Sequence, residues 1–239
     1  ASAAIASASL IGADHGGNYG GSWGNGSNGG TNFGAWAISG GGGGSYGSFI
    51  GDPSAGGISG MAADSFGLYA NPNGPGNYVN ADRSFGGGAM AAGNVFSFTW
   101  GVNWDSGGTG NKGFNLYSGG TGGSQLFNVN IGGADDITYD IGGGAQNLFT
   151  NYGVNAMTFM FTYDGSQLRV QANGRDGVET FDQSFTLSAP DSFRLYASDM
   201  TDSSANRQPY FDDFSMSAIP EPATIALLGL GLAGLLLSR

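Results

Sequence analysis

Apolar and polar residues alternate along much of this chain. In VFSFTWGVNW, Phe96, Phe98, Trp100, Val102 and Trp104 fall on one face of an extended segment, while Ser97, Thr99 and Asn103 fall on the other. The same two-residue period recurs in GFNLYS, in LFNVNIG (Phe127, Val129, Ile131) and in DITYDIG (Ile137, Tyr139, Ile141), and glycines bound these runs. MTFMFTYDGSQLRVQANG predicts a β-hairpin: Met157, Phe159, Phe161 and Tyr163 alternate, Asp164-Gly165 is expected to supply the positive φ angles of a tight turn, and Leu168 and Val170 start the return strand. SFRLYAS and PYFDDFSMS predict two later strands, and FGAWAI and YGSFIG predict brief strands among the glycines of residues 16–60. Between Leu10 and Ala218 no stretch of ten or more residues has the 3.6-residue period of a helix. Helical bundles and doubly wound α/β folds are therefore excluded, and the pattern predicts an all-β, antiparallel sandwich.

Two of these segments carry a resemblance. FTYDGSQLRVQANG is similar to the hairpin that jelly-roll, concanavalin-like sandwiches carry late in the chain, and YFDDFSMS to their closing strand. The resemblance implies a jelly-roll-like sandwich over residues 10–218, flanked by residues 1–9 and 219–239. The first segment, ASAAIASAS, offers small-x-small patterns and reads as the end of a signal peptide or the residues just after one.

Composition narrows the function classes. Of 239 residues 48 are Gly and only 10% are charged, yet 13% are aromatic, which argues for a packed core rather than a linker. The net charge is −11, and the positive charges, Lys112 and six arginines, are scattered singly, so no basic face offers itself to nucleic acid. The absence of cysteine rules out disulfides and thiolate metal sites.

Most motifs that look chemical do not survive their context. GLGLAG (Gly229 to Gly234) fits a dinucleotide fingerprint by letter, but five residues follow it, too few for the helix and the ribose-binding acid. Ser22 in GGSWG and Ser45 in GGSYG match the nucleophile elbow, but the sole histidine, His15, precedes both, against the order that hydrolases require. Glu179 and the aspartates show no paired spacing suited to a glycosidase. Asp135-Asp136 and Asp212-Asp213 are candidate contributors to a structural Ca²⁺ site; neighbouring strand residues face opposite ways, so one of each pair would bind directly. Among the tryptophans, Trp100 and Trp104 share an apolar face and are expected in the core, whereas Trp23 and Trp36, set among glycines, are candidate stacking surfaces for glycan.

The C-terminus is of a different character. Ala223 to Leu237 are fifteen uncharged, mostly apolar residues, about 22 Å long as a helix. That is short of the roughly 30 Å hydrocarbon core, but the flanking residues bring the ends to the interfaces, where Arg239 can snorkel. A basic residue after such a helix marks the cytoplasmic side, so a transmembrane helix over 223–237 would place the sandwich outside the cytoplasm. Pro220-Glu221-Pro222 bars helix formation before it and holds an extended, accessible tripeptide. PEPATIALLGLGLAGLLLSR resembles the PEP-CTERM sorting signal of Gram-negative bacteria in its Pro-Glu-Pro step, apolar helix and terminal basic residue, and departs from it in ending on one arginine instead of several. The resemblance implies secretion, transient anchoring in the inner membrane, cleavage near Pro220-Glu221-Pro222 by exosortase, and delivery to the surface or matrix beside exopolysaccharide. The expectation is an exported, non-catalytic surface or biofilm-matrix protein, with a carbohydrate-binding module as the alternative; the glycine-rich edges leave self-association open.

Overall fold

Alternation builds the strands, and burial of their apolar faces brings them together. The computed structural model describes residues 8–71, 76–103, 110–132, 136–200 and 203–219. Within these, the strands are β1 (Ser9–Asp14), β2 (Ala37–Gly41), β3 (Tyr46–Gly51), β4 (Ser65–Ala70), β5 (Tyr78–Ser84), β6 (Asn94–Gly101), β7 (Asn111–Ser118), β8 (Ser124–Gly132), β9 (Ile137–Asp140), β10 (Gln146–Phe149), β11 (Met157–Tyr163), β12 (Leu168–Asn173), β13 (Thr180–Phe185), β14 (Ser192–Ser198) and β15 (Tyr210–Ala218).

They form two antiparallel sheets. One runs β13-β12-β11-β6-β15-β4-β3, with β1 also pairing to β15; the other runs β10-β9-β8-β7-β14-β5-β2. Late strands are inserted between early ones: β15 lies between β6 and β4, and β14 between β7 and β5. Neither sheet is complete until the end of the sandwich has been made, so the fold rests on long-range pairing.

The facing sides interdigitate aromatic rings. Phe98 of β6 meets Phe114 of β7 edge-on at 4.8 Å between centroids, and Phe114 meets Phe159 of β11 at the same distance. Trp100, Phe127, Phe161 and Phe193 are buried beside them. Each fully buried ring of this size contributes about 1.5–3 kcal/mol by leaving water, and edge-on pairs add to this through the ring quadrupole.

The predicted hairpin forms, with a longer loop than a two-residue turn. Tyr163 pairs with Leu168, leaving four residues in the loop. Only Gly165 adopts positive φ (102°). Asp164 instead accepts hydrogen bonds from the Ser166 and Gln167 amides at 2.8 and 2.7 Å, and these hold its carboxyl below the usual range. The loop is thus fixed by side-chain capping where the sequence pattern pointed to backbone sterics.

The predicted apolar helix over 223–237, the Pro220-Glu221-Pro222 step and Arg239 lie outside the described residues, as does nearly all of the 1–9 segment. Among the described residues no helix is long and apolar enough to cross a membrane.

Candidate functional site

The outward positions of the seven-stranded sheet carry polar or small side chains from edge to edge. On β14, Phe193, Leu195 and Ala197 enter the core, so Arg194 and Tyr196 point away from it. Register then sets their neighbours. Arg194 lies opposite Asp82 of β5 and Asn115 of β7, and Tyr196 lies opposite Asn80 and Gly113. Beyond β7 come Asn128 and Asn130 of β8, and then Asp140 and Thr138 of β9.

Two linked clusters organise this face. In the first, the Arg194 guanidinium donates to both carboxylate oxygens of Asp82, from Nε at 2.6 Å and from Nη2 at 2.7 Å, and lies over the Tyr117 ring at 5.5 Å. The Arg194 and Asp82 side chains are 25% and 16% exposed, so the pair is sheltered yet reachable from solvent. Asp82 holds the Arg194 guanidinium above the usual arginine range, while burial is the main cause that raises the Tyr117 phenol.

The second cluster is built on a missing side chain. A Cβ on Gly113 would lie 1.9 Å from the Val129 carbonyl oxygen and 2.9 Å from the Tyr196 hydroxyl. Because that position is empty, the Tyr196 phenol crosses β7 and lies within hydrogen-bond distance of the Val129 carbonyl (2.9 Å) and Asn130 Oδ1 (3.0 Å). Asn128 Nδ2 donates to the same phenol at 3.0 Å and to Asn115 Oδ1 at 2.6 Å, and Asn130 Nδ2 donates to Asn111 Oδ1 at 2.9 Å. Burial raises the Tyr196 phenol far above its ordinary range, so it stays neutral across the physiological range.

The result is a pre-ordered surface of amides, hydroxyls and one internally neutralised ion pair. A carboxylate offers about four lone-pair sites, and the Arg194 fork occupies one on each oxygen of Asp82, leaving acceptors beside the guanidinium. Such a surface is chemically suited to hydrogen bonding with a ligand rich in hydroxyls, since its own groups are already ordered.

Residues 218–239 match the family model of the PEP-CTERM protein-sorting motif. The chain carries a PEP-CTERM sorting signal. This signal marks an exported protein that is sorted by exosortase and destined for the cell surface of a Gram-negative bacterium. No curated protein matches the sequence.

Among solved structures, the chain is similar to a glycosyl hydrolase family protein from Mycobacterium fortuitum at 13% identity, over 87% of this chain and 99% of that one, with a TM-score of 0.51. It is also similar to a sialidase (8% identity, 77% of this chain, TM-score 0.49) and to the CBM2 module of an evolved Dit from Lactobacillus casei BL23 phage J-1 (13% identity, 76% of this chain and 89% of that one, TM-score 0.46). The chain spans 17% of the sialidase's length. At these identities the likeness is one of fold.

The structure relocates the predicted glycan contacts. Trp23 and Trp36 are 4% and 1% exposed and meet edge-on at 5.0 Å. Phe66 packs on Trp23, and Phe193 and Phe214 pack edge-on against Trp36, whose Nε1 donates to the Tyr19 hydroxyl at 3.0 Å. Neither ring is open to a sugar. The glycines around these tryptophans form the turns that fold them inward, because an indole contributes more buried area than any neighbour in that stretch.

The aspartate pairs separate as well. Asp212 is buried and accepts from the Gly16 amide at 2.8 Å and from Ser65 Oγ at 3.4 Å, while Asp213 is exposed at a bulge with φ 54°. Asp136 is exposed, and Asp135 lies outside the described residues, as does Trp104. Among the described residues no three His, Cys, Asp or Glu side chains gather where they could hold a metal ion.

The residues of the sheet face, Arg194, Asp82, Tyr196 and the asparagines, are not singled out by motif. Their signal in the sequence was the polar half of the alternation in LFNVNIG and SFRLYAS, which names a face without naming its neighbours across the sheet.

Proposed function

We propose that the protein is an exported, non-catalytic component of the cell surface or extracellular matrix, and that the outer face of its seven-stranded sheet holds polysaccharide. The sorting signal supports the destination. The Arg194–Asp82 fork beside the Tyr196 amide cluster supports the ligand class, since it is ordered, solvent-accessible, and rich in neutral donors and acceptors. The role is that of a tether, in which the ordered donors and acceptors of this face act by binding.

Affinity electrophoresis tests the reading. The purified sandwich is run through gels containing soluble polysaccharides, beside the charge-conserving double variant Asp82→Ala/Arg194→Ala. Retardation of the parent protein and its loss in the folded double variant are expected. Equal mobility of the parent in every polysaccharide gel would leave a purely structural matrix role and reject binding.

A further inference from the structure

The outward residues of β5 form a line along the strand: Tyr78, Asn80, Asp82 and Ser84. Facing Tyr78, Asn80 and Asp82 across β2 stand only Gly41, Ser39 and Ala37. On the other side, β14 presents Ser198, Tyr196, Arg194 and Ser192. β2 therefore stands low beside β5, and the outward side chains of β5 lie open along a strip of the sheet face.

Both ends of this strip have features of their own. At the Ser84 end lies a groove of about 230 Å³, lined among others by Ala37, Asp82, Ser84, Ser192 and Thr121. At the other end Tyr78 is 41% exposed, one of a few large hydrophobic side chains so open among the described residues. Its ring lies across Gly41, where a Cβ would stand 3.1 Å from Tyr78 Cε1. From Tyr78 to Asp82 is four residues of strand, about 14 Å at about 3.4 Å per residue, which is longer than one sugar ring.

The charge on this line cancels. Asp82 is matched by Arg194, and among the described residues no other lysine or arginine points outward from this sheet; the whole chain carries −11. A polyanion would meet a repelling field with no unmatched cation to hold it. A flat ring next to amides and hydroxyls suits the C–H face and equatorial hydroxyls of an uncharged sugar.

We propose that this strip is a track for a linear, uncharged polysaccharide laid along β5, with one sugar ring on Tyr78 and the hydroxyls of a later one on the Asp82–Arg194 pair. This rests on the reading that the face binds polysaccharide.

The test uses hydroxyethylcellulose and dextran as uncharged polymers, alginate as a polyuronate, and four variants checked for parental thermal stability. Tyr78→Ala removes the platform, Tyr78→Phe keeps it, Ala37→Trp fills the low ground beside Asp82, and Thr162→Trp adds the same bulk to the outer face of the opposite sheet. Expected are retardation by at least one uncharged polymer and none by alginate, a tenfold or greater weakening in Tyr78→Ala and in Ala37→Trp, and parental behaviour in Tyr78→Phe and Thr162→Trp. Binding that survives both Tyr78→Ala and Ala37→Trp overturns the track while sparing the broader reading. A preference for alginate overturns the uncharged class. Binding to no polymer overturns the reading on which the track rests.

Discussion

Arg83 and Asp14 form an ion pair between the two sheets, with neither side chain exposed to solvent. Arg83 points into the core from β5, where its guanidinium carbon lies 4.6 Å from the Trp36 ring centroid and 5.1 Å from that of Phe33. Further partners hold both groups: Arg83 donates to the Gly34 carbonyl at 2.7 Å and to Asn28 Oδ1 at 3.0 Å, and Asp14 accepts from the His15 amide and Asn18 Nδ2, both at 2.9 Å, and from the Tyr19 hydroxyl at 2.5 Å. The pair ties the glycine-rich N-terminal segment to the sandwich.

Breaking that pair on one side strands a buried charge. Arg83→Met is expected to cost about 3–5 kcal/mol, read from urea unfolding. Asp14→Asn/Arg83→Met should recover much of the loss, because the amide still accepts hydrogen bonds but carries no charge. A double variant as unstable as the single one would show that the packing of Arg83 on Trp36 matters more than its charge.

Gly113 is fixed by the approach of Val129 and Tyr196. Gly113→Ala forces at least one of them to move and is expected to destabilise by about 1–3 kcal/mol. Displacing the phenol toward water should also lower its raised pKa, which ultraviolet titration of the tyrosines reads directly. Unchanged stability together with an unchanged titration curve would contradict the close packing of β7 under Tyr196.

Asp212 makes stability fall as pH rises through mild acid. Burial, opposed by the Gly16 hydrogen bond, pushes its carboxyl up to about 6 from 3.8. The folded state therefore binds this proton more tightly than the unfolded chain, so the contribution is fully present below about pH 4 and is lost as pH rises through about 6. The two-unit difference is worth about 3 kcal/mol. Asp212→Asn should remove this pH dependence and be more stable than the parent at pH 7. Urea melts from pH 4 to 7.5 on both proteins decide it, and parallel curves would reject the assignment.

For the C-terminal signal, the mature protein from its native host should lack the residues beyond about Pro222, as read by intact mass. In a strain without exosortase the mass should include them and the protein should stay with the membrane. Released protein ending at Arg239 would contradict cleavage.

Strand identity was legible because a sheet has one simple rule: alternate side chains face opposite ways. Phe96, Phe98 and Trp100 announce β6, and Met157 to Tyr163 announce β11, without reference to any partner. The hairpin after Tyr163 was legible for the same reason, since both of its strands and its loop are local. Trp23 and Trp36 were misread because local glycine content reports the freedom of the backbone and says nothing about where distant Phe66, Phe193 and Phe214 will stand.

The fold class, the sorting signal over residues 219–239 and the apolar and polar faces of most strands were legible along the chain alone, because all of them depend on neighbours in it. It took the packed sheets to bring Asp82 to Arg194, 112 residues away, to carry Tyr196 across Gly113 to Asn130, and to place the indoles inside. The physical reason is register. Alternation tells each strand which side is wet, but which strands lie side by side, and at what offset, is settled by packing two whole sheets against each other.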